Sequence, residues 1–180
     1  MAPGRPKVGN SRAPQGGTKR PQVPMVHGWI VRPDSEPAPE NDACHTGGRL
    51  ARRVVALLAA RCPVAAGFPA LPHDSGFTNW TLPSARRRGV ILCPEDDGAP
   101  PFGAPSMAAG GHVVCITGFR PDDEEPSGGW FVFRNSWGLD FASEAAATTG
   151  PLAPPARGYG LMSASHVDRY CWEYLAPAPA

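Results

Sequence analysis

Two polar side chains in the second half of the chain stand at the ends of neighbouring apolar segments. His112 opens the first segment (residues 112–118), and Asn135 closes the second (residues 129–135). Both segments are rich in β-branched and aromatic residues, which favour strands, and the charged stretch 120–127 between them is typical of a turn. The sequence therefore predicts a β-hairpin that carries a histidine and an asparagine at its strand ends.

The predicted pairing brings these two side chains together. In an antiparallel pair the numbers of facing residues sum to a constant, so pairing Gly118 with Gly129 places His112 opposite Asn135. A slip of two residues in this register still leaves both side chains at one end of the same sheet.

A histidine held by an asparagine can activate a thiol. The asparagine oxygen accepts a hydrogen bond from one imidazole nitrogen, which fixes the tautomer and the orientation of the ring. The other nitrogen can then take the proton of a thiol, and the resulting imidazolium lowers the pKa of that thiol. Trp137 lies two residues after Asn135 and can shield this hydrogen bond from water, which strengthens it. The spacing by itself also fits a structural histidine.

The elements around the hairpin indicate an α+β domain. Residues 50–58 predict an amphipathic helix, because their apolar side chains fall on one face. Apolar runs at 63–69, 90–94 and 157–162 predict further strands. The apolar residues of the helix face are Leu50, Val54, Leu57 and Leu58.

The composition suggests that part of the chain is not folded. It has 180 residues, of which 23 are proline and 21 are glycine, a content that borders on low-complexity sequence. Residues 1–24 are largely Pro, Gly, Arg and Lys and predict a disordered tail, because they cannot bury enough surface to offset their ordering entropy. We expect residues 25–176 to form one folded lobe and residues 177–180 to be a frayed end.

Charge and hydropathy restrict the partners and the location. A formal net charge of +1 gives no overall field that would attract nucleic acid or an anionic membrane. There is no run of about eighteen apolar residues, the length of a membrane span, and no apolar signal segment follows Met1. We therefore expect a cytoplasmic protein that binds neither nucleic acid nor membranes.

The cysteines predict neither a metal site nor a disulfide framework. The chain has an odd number of them, none is spaced as Cys-x-x-Cys, and no His-x-x-x-His follows. We expect mostly buried thiols that act as small hydrophobic side chains, no metal and no cofactor. The five are Cys44, Cys62, Cys93, Cys115 and Cys171.

Residues 110–119 read Gly-Gly-His-Val-Val-Cys-Ile-Thr-Gly-Phe, and residues 130–138 read Trp-Phe-Val-Phe-Arg-Asn-Ser-Trp-Gly. These two stretches resemble the papain family of cysteine peptidases. The family has Gly-His-Ala-Val followed by a Gly-Tyr pair, and later an apolar strand that ends in Arg/Lys-Asn-Ser-Trp-Gly. A helix that leads into a Pro-Val strand, and the Gly-Tyr-Gly of residues 158–160, occur here in the family's order.

The resemblance spans roughly residues 49–175 and implies the sheet-rich C-terminal lobe of the two-lobed papain fold. That lobe is an antiparallel β-sheet half-barrel with one packed helix. The resemblance further implies that His112 is the general base, that Asn135 orients it and that Trp137 is the indole packed over both. The implied substrate is a peptide or a protein, whose peptide bond is attacked by a thiol.

The nucleophile motif of the family, Gln-Gly-x-Cys-Gly-Ser-Cys-Trp, has no counterpart in this chain. Gln15 and Gly16 begin in the same way, but no cysteine is near. Cys44 is a candidate nucleophile because it precedes the predicted helix, and a helix N-terminus lowers the pKa of a thiol. Cys115 follows His112 by three residues, so we expect it on the other side of the strand.

Three interpretations follow. The chain is the histidine lobe of a papain-like peptidase whose cysteine lobe comes from a second chain or has been lost from the gene model. Alternatively, it is a pseudo-peptidase that binds a peptide or partner protein without cleaving it. It could also be a different thiol hydrolase, such as a bacteriocin-processing or cell-wall peptidase, which likewise uses a Gly-His-Val-Val strand. The Asn-Ser-Trp-Gly strand argues against this third interpretation.

Overall fold

The computed structural model describes residues 48–94, 96 and 98–177, together with the backbone of Ile30–Val31. Within these residues the chain has an α+β fold. The predicted tail (1–24), the candidate nucleophile Cys44 and residues 178–180 of the predicted frayed end lie outside the described part.

Seven strands and three α-helices form the described part of the chain. The strands are β1 (Ile30–Val31), β2 (Val64–Pro69), β3 (Val90–Ile91), β4 (Gly111–Pro121), β5 (Gly129–Arg134), β6 (Tyr159–Ser163) and β7 (Glu173–Leu175). The helices are α1 (Arg49–Ala59), α2 (Pro83–Arg88) and α3 (Ala164–Tyr170). Short 3-10 helices occur at Pro105–Met107, Gly138–Asp140 and Ala145–Ala147. None of the described helices has the length and apolarity that crossing a membrane requires.

The strands form one open, mixed sheet in the order β1-β7-β2-β4-β5-β6-β3. The described strand pairs are antiparallel except β3 with β6, which run parallel. The sheet is therefore mixed, whereas we had expected a purely antiparallel one. Among the described strands, β1 and β3 are the outermost. Parallel strands are joined by a long crossover instead of a tight turn, and a two-residue edge strand carries no pattern that reveals its direction.

The register of the β4–β5 hairpin differs from the predicted one. Phe133 pairs with Ile116, whereas the predicted register pairs it with Val114. The hairpin turn follows Pro121, so part of the charged stretch belongs to the strand, and the pairing shifts between Ile116 and Gly118. Such an irregularity is a β-bulge, in which two residues of one strand face one residue of the other.

Helix α1 forms where the apolar pattern predicts it. Its inward face contains Ala51 and Val54, which are fully buried, and three partly buried leucines. The expectation of one packed helix is nevertheless wrong, because α2 and α3 also form. Both are too short to show a helical repeat of apolar residues, and α2 consists of Pro-Ser-Ala-Arg-Arg-Arg.

The core lies on the face of the sheet that α1 and α3 cover. Helix α1 contacts β2, β4 and α3, and α3 contacts β5 and β6. Trp80, from the loop between β2 and α2, is 1% exposed and packs on Phe68 and Phe133. The fully buried core side chains include Phe68, Ile116, Phe131, Phe133, Phe141 and Met162.

Candidate acid/base site

The side chains of His112 and Asn135 meet at one end of the β4–β5 strand pair. His112 is the second residue of β4 and faces Phe68 of β2, while Asn135 directly follows β5. Because the two strands are antiparallel, the start of β4 and the end of β5 lie side by side. The Nε2 atom of His112 is 2.9 Å from Oδ1 of Asn135, a normal hydrogen-bond length.

This hydrogen bond defines the tautomer of the imidazole. An amide oxygen can only accept, so Nε2 of His112 carries the hydrogen and donates it to Asn135. In the neutral ring the lone pair is then on Nδ1. Nδ1 is therefore the basic atom available to a substrate or a nucleophile.

Two indole rings hold the imidazole of His112. The ring centroid of Trp137 is 4.5 Å from that of His112, and the centroid of Trp80 is 4.7 Å away. Trp137 therefore contacts the ring that donates to Asn135, and Asn135 is only 5% exposed. The contribution of Trp80 was not predicted from the sequence.

Burial and hydrogen bonding act in opposite directions on the pKa of His112. Burial is the larger effect and lowers the pKa from the usual 6.5, while the hydrogen bond to Asn135 raises it. Desolvation disfavours the charged imidazolium, whereas the asparagine oxygen stabilises the ring that donates to it. The net lowering leaves the ring neutral and Nδ1 unprotonated at neutral pH.

The Gly-Tyr-Gly segment helps to fix Asn135. The backbone N–H of Asn135 donates to the carbonyl of Gly158 at 2.9 Å, and the N–H of Gly158 donates to the carbonyl of Phe141 at 2.7 Å. Gly158 has φ +83°, a conformation that disfavours side chains. The side-chain Nδ2 of Asn135 is buried and has no hydrogen-bond partner within the described residues.

A groove of about 330 Å³ has Arg86 in its lining. Arg86, one of its lining residues, places its guanidinium 5.6 Å from the ring centroid of Trp137, a cation–π contact. The groove thus combines apolar and charged side chains next to the indole that covers His112. Its lining residues are Phe77, Thr81, Pro83, Arg86, Arg87, Asp140 and Ser143.

Cys115 does not share a face with His112. Along β4, Val114 and Ile116 point into the core, while Val113 is exposed and Cys115 is half-buried, which follows the two-residue alternation of a strand. Burial raises the pKa of the Cys115 thiol, and the charge of Arg134 lowers it to a smaller extent. A thiol with a raised pKa is a poor nucleophile at neutral pH.

The other described cysteines are buried and lie in other surroundings. Cys62, Cys93 and Cys171 are 7%, 0% and 1% exposed. Within the described residues, the side-chain hydrogen bond of His112 goes to Asn135 and not to a thiol. The position of Cys44 relative to His112 is outside the described part of the chain.

Comparison with known proteins gives no further assignment. No protein-family model matches the chain, and no curated protein matches its sequence.

Proposed function

We propose that this chain forms the base-and-orienter lobe of a papain-like cysteine peptidase, which hydrolyses peptide bonds with a thiol nucleophile. His112 is the general base, Asn135 orients it and Trp137 shields their hydrogen bond. The observation that carries the proposal is the 2.9 Å contact between His112 Nε2 and Asn135 Oδ1, because it leaves Nδ1 free for a thiol. The resemblance of residues 110–119 and 130–138 to the family supports the same assignment.

The chemistry assigned to this pair is acyl transfer. Nδ1 of His112 takes the proton of a thiol, and the thiolate attacks the carbonyl carbon of the peptide bond. The imidazolium then returns the proton to the leaving amine, and water hydrolyses the thioester with His112 again acting as the base. Asn135 keeps the ring in one tautomer throughout, since its oxygen accepts the Nε2–H in both charge states.

The thiol comes from Cys44 or from a cysteine lobe on a second chain. The four cysteines in the described part do not suit the role, because three are buried elsewhere and Cys115 faces the other side of β4. A nucleophile supplied by another chain would place the active centre between two polypeptides.

Hydrolysis of a fluorogenic peptide library in the presence of a reductant tests the proposal. We expect hydrolysis that a thiol-alkylating reagent abolishes. If Cys44 is the nucleophile, Cys44→Ser removes this activity and the matched control Cys62→Ser retains it. If a second chain supplies the thiol, both variants behave like the wild type and activity depends on the added cysteine lobe. Thiol-independent hydrolysis would contradict the proposal.

A second candidate function is the binding of a peptide or partner protein without cleavage. The groove lined by Arg86 favours it, because Arg86, Arg87 and Asp140 are charged side chains next to apolar lining residues. Fluorescence anisotropy with labelled peptides measures this binding. Saturable binding without any hydrolysis, with or without a cysteine lobe, would favour this second function.

A further inference from the structure

A second cluster of side chains has the composition of a metal site. Cys93 Sγ, a carboxylate oxygen of Asp96 and a ring nitrogen of His166 all lie within 4.8 Å of one another. Cys93 and His166 are fully buried, and Asp96 is half-buried. Cys93 and Asp96 belong to the loop after β3, and His166 lies in the first turn of α3.

The environment of His166 indicates that this cluster binds a ligand. Its side chain is 0% exposed, and neither ring nitrogen has a hydrogen-bond partner within the described residues. Buried polar groups in folded proteins nearly always have a partner, so a buried imidazole without one requires an explanation. A metal ion bound to one ring nitrogen provides it.

The surroundings of His166 keep its ring neutral. Burial lowers its pKa to about 3, so the ring is uncharged and has a lone pair at neutral pH, the form that binds metals. Phe68, Tyr170 and Trp80 enclose the imidazole in T-shaped contacts, with centroid distances of 5.4, 5.5 and 6.3 Å. These aromatic rings do not compete for the lone pair.

The carboxylate of Asp96 is held in place by two donors. Its Oδ1 accepts from the hydroxyl of Ser163 at 2.9 Å, and its Oδ2 accepts from the backbone N–H of Cys93 at 2.8 Å. Each carboxylate oxygen has more than one lone pair, so these bonds leave room for a metal. Hydrogen bonds of this kind orient the carboxylate ligands of metal sites.

We propose that Cys93, Asp96 and His166 bind a zinc ion. Thiolate, carboxylate and imidazole are the ligand types that zinc takes in proteins. The thiolate and the carboxylate together balance the charge of Zn²⁺, which a largely buried site requires. A water molecule completes four-coordination on the partly exposed side of Asp96.

The zinc ion would link the loop after β3 to the first turn of α3. His166 contacts Trp80, and Trp80 contacts His112 at a centroid distance of 4.7 Å. The zinc site thus stabilises the core beneath the acid/base site without taking part in its chemistry. Its test does not depend on peptidase activity.

Metal titration of the full chain, purified without a histidine tag and stripped with a chelator, tests the wild type. We expect one Zn²⁺ per chain by elemental analysis. Zinc at about 100 times its Kd should raise Tm by about 5–10 °C. Co²⁺ in place of zinc should give the charge-transfer absorption of a cobalt–thiolate bond. A wild-type chain that binds no zinc would overturn the proposal.

Substitutions then identify the ligands. Cys93→Ser should abolish the cobalt–thiolate band. Asp96→Asn should weaken zinc binding about 100-fold or more, because mutating a residue that only supports a ligand already lowers metal affinity 10- to 100-fold. Asp96→Asn keeps the size of the side chain and both hydrogen bonds, because a serine hydroxyl can accept as well as donate. Its folding is therefore expected to survive.

The matched control is Cys62→Ser, which changes another buried thiol and should bind zinc like the wild type. Equal zinc affinity in the wild type, Cys93→Ser and Asp96→Asn would assign the metal to other residues and overturn the proposal.

Discussion

Gly111 precedes His112 at a point where neighbouring groups approach too closely for a side chain. A Cβ atom at Gly111 would lie 2.2 Å from Cζ2 of Trp172 and 2.9 Å from the carbonyl oxygen of Phe68. The Trp172 ring is partly exposed and can move, but the Phe68 carbonyl belongs to β2, which pairs with β4. Close packing thus explains why residue 111 is a glycine, without any role in catalysis.

We expect Gly111→Ala to lower the free energy of unfolding by about 1–3 kcal/mol, the usual effect of overpacking. The matched control is Gly110→Ala, whose Cβ would have no neighbouring atom within 4 Å and which should change stability by less than about 0.5 kcal/mol. Urea denaturation of both variants measures the difference. Equal stabilities would show that the strands tolerate a side chain at Gly111.

The titration of His112 reports directly on its hydrogen bond. Burial lowers its pKa below 6.5, so its imidazole resonances should titrate below that value in NMR spectra, with the hydrogen on Nε2. In Asn135→Asp a carboxylate replaces the amide and stabilises the imidazolium, which should raise the pKa of His112 above that of the wild type.

The control for this titration is Ser136→Asp, which places the same charge on an exposed neighbour, where water and salt screen it. It should raise the pKa of His112 far less than Asn135→Asp does. A wild-type pKa at or above 6.5, or equal shifts in the two variants, would contradict the described environment of His112.

At the scale of elements, α1 depends on α3 for its N-terminal cap. The carboxylate of Asp168 accepts hydrogen bonds from the backbone N–H groups of Gly48 and Ala51. Gly48 has no side chain with which to cap the helix, and the first N–H groups of a helix need an acceptor from outside it. This contact joins the two helices that cover the core.

Asp168→Ala should therefore lower the free energy of unfolding by about 1–2 kcal/mol, as the loss of a helix cap does. Asp74→Ala, at an exposed loop position, is the control and should change stability by less than about 0.5 kcal/mol. Thermal denaturation followed by circular dichroism distinguishes the two. A stable Asp168→Ala variant would mean that water caps the helix equally well.

Helices and strands with a sustained apolar pattern could be predicted from the sequence, and the two short helices could not. Helix α1 and the β4–β5 hairpin have such a pattern, whereas α2 and α3 are only six and seven residues long. The bulge between Ile116 and Gly118 could not be predicted, because it depends on tertiary packing instead of residue type. The contact between His112 and Asn135 could nevertheless be predicted from the sequence, because the prediction needs only the pairing of the two strands and an approximate register.

At the scale of the whole molecule, residues that are distant in the sequence complete both candidate sites. Trp80 reaches His112 from the loop between β2 and α2, and His166 lies close to Cys93 although more than seventy residues separate them in the sequence. Spacing along the chain contains no sign of either contact, which is why the cysteine pattern did not predict a metal site. The sheet order brings these segments together.

The central claim is that His112 acts as a general base in the hydrolysis of peptide bonds. The most direct test compares kcat/KM on fluorogenic peptides, with a reductant and the required thiol present, for the wild type, His112→Ala and His73→Ala. We predict that His112→Ala lowers kcat/KM by about 100- to 10,000-fold, the usual contribution of a general base. His73→Ala, which removes another described histidine, should leave it unchanged. Hydrolysis that survives His112→Ala undiminished would contradict the claim.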